Sequence, residues 1–141
     1  TRARLAGLAD ELGIGDRVHF LGRRDDVPAL LAALDIFVSA SRSEAFGLAM
    51  VEAMVAGVPV IATATEGARE IITDNVTGRL VPVGNPEALA DASLALIADV
   101  AMRARLTERA RAMAIERFSI DRMIEATEQV YYEAVAGQTR S

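Results

Sequence analysis

No cysteine occurs in the chain, which removes a disulfide framework, a thiol nucleophile and any zinc site built on thiolates. A single histidine, His19, is too little for a metal cluster, so no metal is expected. Lysine is absent too. All 15 basic residues are therefore arginines, set against 20 acidic residues for a formal charge of −5 and a pI near 4.9. With no basic run, that balance argues against nucleic acid as a partner. The longest stretch without a charged side chain, Ala53–Thr65, is thirteen residues, short of the roughly 20 that a membrane-spanning helix needs. No charged-then-apolar leader opens the chain and its first residue is Thr1, so the start of the natural protein is expected to lie upstream.

What is present suits one soluble domain of 141 residues. Hydrophobic residues make up 52% and aromatics only 4%, and alanine alone supplies 27 positions, so helices with small contact faces should dominate. Residues 2–12 place Leu5, Leu8, Ala9 and Leu12 on one helical face before Gly13. Val18–Leu21, Ile36–Ser39, Val58–Ala62 and Arg79–Val83 read as short strands, the middle two apolar without alternation. Asp25 and Asp26 ahead of Pro28 open a helix to about Leu34. Further helices are predicted at 47–56, 68–72, 86–99, 101–117 and 119–136, with a turn through Asp74–Gly78 and a loose tail at 137–141. Unalternating strands separated by helices predict an α/β, doubly wound parallel sheet covered on both faces.

The segment from Ser43 to Met54 lies between two apolar strands, so its start falls at the carboxyl end of the sheet, where such folds bind ligands. A helix opening near Gly47 leaves backbone N–H groups unpartnered and adds the positive end of its dipole, a setting for a phosphate. Gly47 lets a ligand approach that backbone closely. Glu52 stands among apolar and alanine neighbours, which predicts partial burial and a need for hydrogen-bond donors such as a vicinal diol. Glu44, eight positions earlier, can reach the same ligand from another side, so both carboxylates are expected at one cleft at the amino end of the helix. The plainer alternative pairs Glu52 with a structural arginine and leaves Glu44 as a solvated loop residue.

The run E-A-F-G-L-A-M-V-E-A-M-V-A-G-V-P-V-I-A at 44–62 resembles the E-x7-E segment of the retaining group-1 (family four) glycosyltransferases of GT-B fold. Val18-His19-Phe20-Leu21-Gly22, the 35–41 strand and loop, Glu70-Ile71-Ile72, Thr77–Val81 and Phe118-Ser119 fit that pattern in order. The resemblance implies a Rossmann-like sheet that forms most of the carboxyl-terminal, donor-binding half of such an enzyme, with its first two strands absent. It assigns Glu44 to the sugar, as the catalytic residue that stabilises charge at the anomeric carbon. Phe46, Gly47 and Leu48 would offer amides to sugar and diphosphate, Glu52 would hold the ribose, and Arg24 and Asp26 would lie near the nucleobase. The donor would be a nucleoside-diphosphate sugar, with no metal and no other cofactor.

The same resemblance implies an acceptor bound by an amino-terminal domain, to which the 119–136 helix would cross back. Peripheral membrane contact through that domain stays open, and a cytoplasmic location is expected. The pieces that would neutralise the diphosphate, an arginine and a lysine on the absent strands, are not in this chain, so alone it is expected to be inactive. Three departures stand out: Ala45 in place of a usual glycine, Glu66 in place of the first of two glycines, and Ile120 where tryptophan is common. The competing reading is a non-catalytic nucleotide-sugar-binding or interaction module derived from the same domain. Without the absent strands, Ile36–Ser39 would form a free sheet edge, with dimerisation as one way to cover it.

Overall fold

A computed structural model describes residues 2–138, with side chains through Val135. In chain order the elements are α1 (Arg2–Glu11), a 3₁₀ turn (Gly15–Arg17), α2 (Val27–Ala32), β1 (Phe37–Ser39), α3 (Leu48–Val55), β2 (Val60–Thr63), α4 (Glu66–Ile71), β3 (Arg79–Val81), α5 (Pro86–Ala98), α6 (Val100–Arg117) and α7 (Ile120–Gln138). Residues 139–141 of the expected tail lie outside the described residues, and α7 itself runs on through Gln138. No described helix is long and apolar enough to cross a membrane.

The sheet has three parallel strands in the order β1-β2-β3. Phe37 is in register with Val60, and Ile61 with Arg79. Every residue of β2 is buried, as a central strand with two covered faces requires. Val60 and Ala62 enter one core cluster with Met50, Ala53 and Met54 of α3 and Ala68 and Ile71 of α4. Ile61 points the other way, into a cluster with Val81, Ala92 and Leu96 of α5, and Leu106. Helices thus cover both faces of the sheet, as the apolar strands predict.

α6 serves both clusters. Leu106 meets the α5 side, while Ala110 and Ala114 lie in the α3 side, where α3 and α6 pack together. The small residues Ala53, Ala110 and Ala114 let the two backbones come close there. Helix ends are fixed locally. Asn85 Oδ1 accepts from Ala88 N at 2.9 Å to cap α5, and Asp99 Oδ1 accepts from Met102 N at 2.8 Å to cap α6. Arg103 turns its Nη1 back to donate to the Leu96 carbonyl at the end of α5, at 3.0 Å.

One expectation is corrected. Val18–Leu21 is not a strand: Val18 has extended φ/ψ, but residues 18–22 join no ladder and His19 is exposed. An extended segment becomes a strand only by exchanging hydrogen bonds with a neighbour, and the sheet ends at β1. Val38 of β1 is 45% exposed at the sheet edge, as expected of a strand with a free edge. The apolar stripe of α1 is also largely open, since only Ala9 is buried there. The stripe of α7, including Ile124, Val130 and Tyr131, is exposed as well.

Candidate functional site

The loop after β1 and the turn after β2 meet at the carboxyl ends of the strands. Thr63, the last residue of β2, is buried, and its Oγ1 donates to the carbonyl of Ser41 at 2.5 Å and to that of Ser39 at 3.4 Å. Its hydroxyl thereby ties the loop leaving β1 to the neighbouring strand. Ser41 Oγ donates in turn to Glu44 Oε2 at 3.2 Å, and Glu44 is half-buried. Glu44 is therefore oriented from below by a hydroxyl that the sheet itself holds in place, and is not a freely solvated loop residue.

The backbone of the 44–46 turn is fixed from the other side by Gly67. Its N–H donates to the Glu44 carbonyl at 3.0 Å. A Cβ on Gly67 would stand 2.7 Å from the carbonyl oxygens of both Glu44 and Phe46, so only glycine fits. Thr65 Oγ1 accepts from Ala68 N at 3.3 Å and starts α4 at this place, with Glu66 exposed as its first residue. Ala45 keeps a negative φ: among the described residues Asn75 is the only non-glycine in the left-handed region. The departure from glycine at 45 thus carries no backbone strain.

α3 begins at Gly47, which has φ +99° and gives the helix no side-chain cap. A Cβ there would collide with the Met50 methyl and lie 3.3 Å from Glu44 Cγ, in a conformation that L-residues rarely adopt. The first N–H groups of α3 are accordingly free of any capping side chain, at the positive end of the helix dipole. Phe46, just before, is partly exposed and meets Phe118 edge-to-face, with ring centroids 5.5 Å apart.

Glu52 corrects the expectation of burial, for it is exposed. α3 is apolar on two sides for two reasons. Met50, Val51, Ala53 and Met54 enter the core, whereas Leu48, Val55 and Ala56 line a groove of about 480 Å³ shared with α2 and Phe118. Glu52 sits between Leu48 and Val55 on that second face, the one charged side chain among the groove's lining. Among the described residues no side chain makes a hydrogen bond or ion pair with it, and no arginine partner is placed there. Glu44 lies outside this lining, in the loop before α3, so this groove does not bring the two carboxylates together as the expectation of one shared cleft had it.

Arg24 and Asp26 pair with each other in a fork, Nε to Oδ1 at 2.7 Å and Nη2 to Oδ2 at 2.6 Å. The guanidinium holds the Asp26 carboxyl below its usual range, and the carboxylate raises Arg24. Both are exposed, so the pair orders the turn more than it stabilises the fold. Asp26 occupies the N-cap position of α2 without capping it, because its carboxylate is already engaged. Val27 and Pro28, the next two residues, form the α2 wall of the groove, which brings the turn to the same opening as Glu52.

Sequence reasoning missed the supporting shell: Thr63, Ser41, Gly67 and Phe118. The signals were a polar residue closing a wholly apolar strand and a glycine two residues after a helix cap. A second and larger cleft, about 830 Å³, lies at the opposite end of the sheet and is lined in part by Asp35, Pro59, Arg103, Glu108 and Arg111. Among the described residues no group of three or more His, Asp or Glu side chains is placed to hold a metal ion.

The chain is similar to known proteins along most of its length. The family described as "Glycosyl transferases group 1" matches residues 1–113. The N-acetyl-alpha-D-glucosaminyl L-malate synthase of Bacillus anthracis is 38% identical over 128 residues, covering 91% of this chain and 34% of its own length. The structure of sucrose-phosphate synthase from Thermosynechococcus elongatus superposes with a TM-score of 0.90 at 34% identity, over 96% of this chain and 35% of that one. The HepE protein of Anabaena, solved in complex with UDP-glucose, superposes with a TM-score of 0.84 at 33% identity, over 95% and 36%. This chain therefore spans about a third of the length of these relatives. With four-fifths of its residues inside the family match and a GT-B carboxyl-terminal architecture, the chain belongs to the group-1 glycosyl transferases.

Proposed function

We propose that these residues are the donor-binding part of a retaining glycosyltransferase that moves a sugar from a nucleoside-diphosphate sugar to an acceptor. The observation that carries the reading is Glu52: an unpartnered carboxylate in an apolar groove that runs to the uncapped amino end of α3. A ribose with two adjacent hydroxyls supplies the donors that this carboxylate lacks. The α3 amides beside Gly47 receive the diphosphate, whose charge the helix dipole favours. Glu44, steadied by Ser41, faces the sugar and stabilises the positive charge that builds at the anomeric carbon as the bond to the diphosphate breaks. The Arg24–Asp26 turn borders the nucleobase. That HepE was solved with UDP-glucose on the same architecture supports a nucleotide-sugar donor. The reading routes no step through a metal.

Steady-state kinetics of the complete protein test it. Ribose contacts persist from ground state to transition state, so Glu52→Ala should act chiefly on donor binding. The loss of charge-assisted hydrogen bonds corresponds to a donor KM raised about 10- to 100-fold, with kcat within a few-fold of wild type. An unchanged donor KM would remove Glu52 from the donor site.

A further inference from the structure

Phe118 lies far from the E-x7-E run in sequence, at the junction of α6 and α7, yet one ring touches both halves of the site. It meets Phe46 at 5.5 Å with the ring planes 80° apart, the edge-to-face geometry that aromatic pairs favour. It also lines the α2–α3 groove beside Leu48 and Glu52, and packs on the core cluster beneath. Arg117 holds the ring from its own side, with its guanidinium 5.3 Å from the ring centroid. Phe46 immediately precedes the left-handed Gly47. Whatever fixes the Phe46 ring therefore also fixes the direction from which the chain enters α3. Among the described residues the Phe46–Phe118 pair is the one aromatic ring contact.

We infer that Phe118 is a positioning residue for the donor site: through its ring contact with Phe46 it holds the start of α3 in the orientation that receives the diphosphate. This rests on the donor-binding reading above and deepens it. Phe118 makes no chemical contribution of its own. It acts by lowering the cost of ordering the 44–48 turn when a ligand arrives, since a turn already held in place loses less freedom on binding. Such an effect depends on the ring pair and not on hydrophobic volume alone.

Isothermal titration of the complete protein with UDP, GDP and ADP identifies the nucleoside diphosphate that binds tightest, and that nucleotide serves as the probe. Phe118→Leu keeps an apolar side chain but loses the ring, and should weaken the probe's Kd about tenfold. Phe118→Tyr keeps the ring and should restore Kd to within twofold of wild type. Phe46→Leu should weaken binding to a similar degree. The double variant should bind no worse than the weaker single variant, because both remove one shared contact. A wild-type Kd for Phe118→Leu, accompanied only by a lower Tm, overturns the inference and shows Phe118 to be packing alone. Multiplying effects in the double variant overturn it too. Glu52→Ala, titrated in parallel, separates the failures. Loss of binding there with none at Phe118 leaves the donor-site reading standing, whereas no loss in either variant, or no binding of any probe to the wild type, overturns both.

Discussion

Replacing Gly67 with alanine is expected to be the most damaging single-methyl change in the site. The added carbon would lie 2.7 Å from two carbonyl oxygens and 2.8 Å from the carbonyl carbon of Ala45. All three belong to the backbone, so no side chain can swing away to relieve the contact. Overpacking of this kind costs about 1–3 kcal/mol, and the hydrogen bond from Gly67 N to the Glu44 carbonyl is lost if the turn retreats. For a domain of this size about 2 kcal/mol corresponds to a fall in Tm of roughly 5–10 °C. The functional loss should exceed the stability loss, because the part that must move carries Glu44. Thermal unfolding and turnover measured on the same Gly67→Ala preparation check this: Tm falls and kcat falls at temperatures where the variant is still folded. A variant with wild-type Tm and kcat would show that the 44–46 turn does not rest on Gly67. By contrast, Ala45→Gly relieves no strain and should leave kcat unchanged, since Ala45 already has a negative φ.

Glu44→Ala should have the largest effect on turnover itself. If its carboxylate meets charge that develops only as the glycosidic bond breaks, its removal acts on the transition state and spares the ground state. Removing one such electrostatic contact typically costs about 10²–10³ in kcat. Donor KM should change by no more than a few-fold, the reverse of the pattern expected for Glu52→Ala. Ser41→Ala leaves the carboxylate in place but removes the hydroxyl that orients it, at 3.2 Å, so its effect should be a smaller loss in kcat of the same kind. Single-turnover measurement of the chemical step distinguishes these outcomes from slowed product release. A kcat for Glu44→Ala near wild type with a strongly raised donor KM would exchange the roles of the two glutamates.

The parts of this architecture legible in the sequence are those fixed by local pattern. The apolar runs around Phe37, Ile61 and Leu80 became the three strands, and Gly47 and Gly57 bracket the helix between the first two. The parts that were not legible depend on distant partners. Val18–Leu21 has the composition of a strand, but its own residues cannot supply the ladder that would make it one. Glu52 misled for a different reason. An all-apolar helix suggests burial all round, whereas α3 divides its apolar surface between the core and an open groove, and the carboxylate falls on the groove side. The hold of Thr63 on Ser41, 22 residues away, and that of Gly67 on the 44–46 turn exist only once β1 and β2 lie side by side. The motif marks the candidate site, and the long-range contacts determine how Glu44 is held.

The account stands on the claim that the donor lies at the amino end of α3. The most direct test is a crystal structure of the complete protein with the nucleoside diphosphate that binds it tightest. The predicted result places the ribose hydroxyls on the Glu52 carboxylate in the α2–α3 groove and the diphosphate on the amides following Phe46. A nucleotide seated instead in the larger cleft at the amino ends of the strands, against Arg103 and Arg111, would contradict the account.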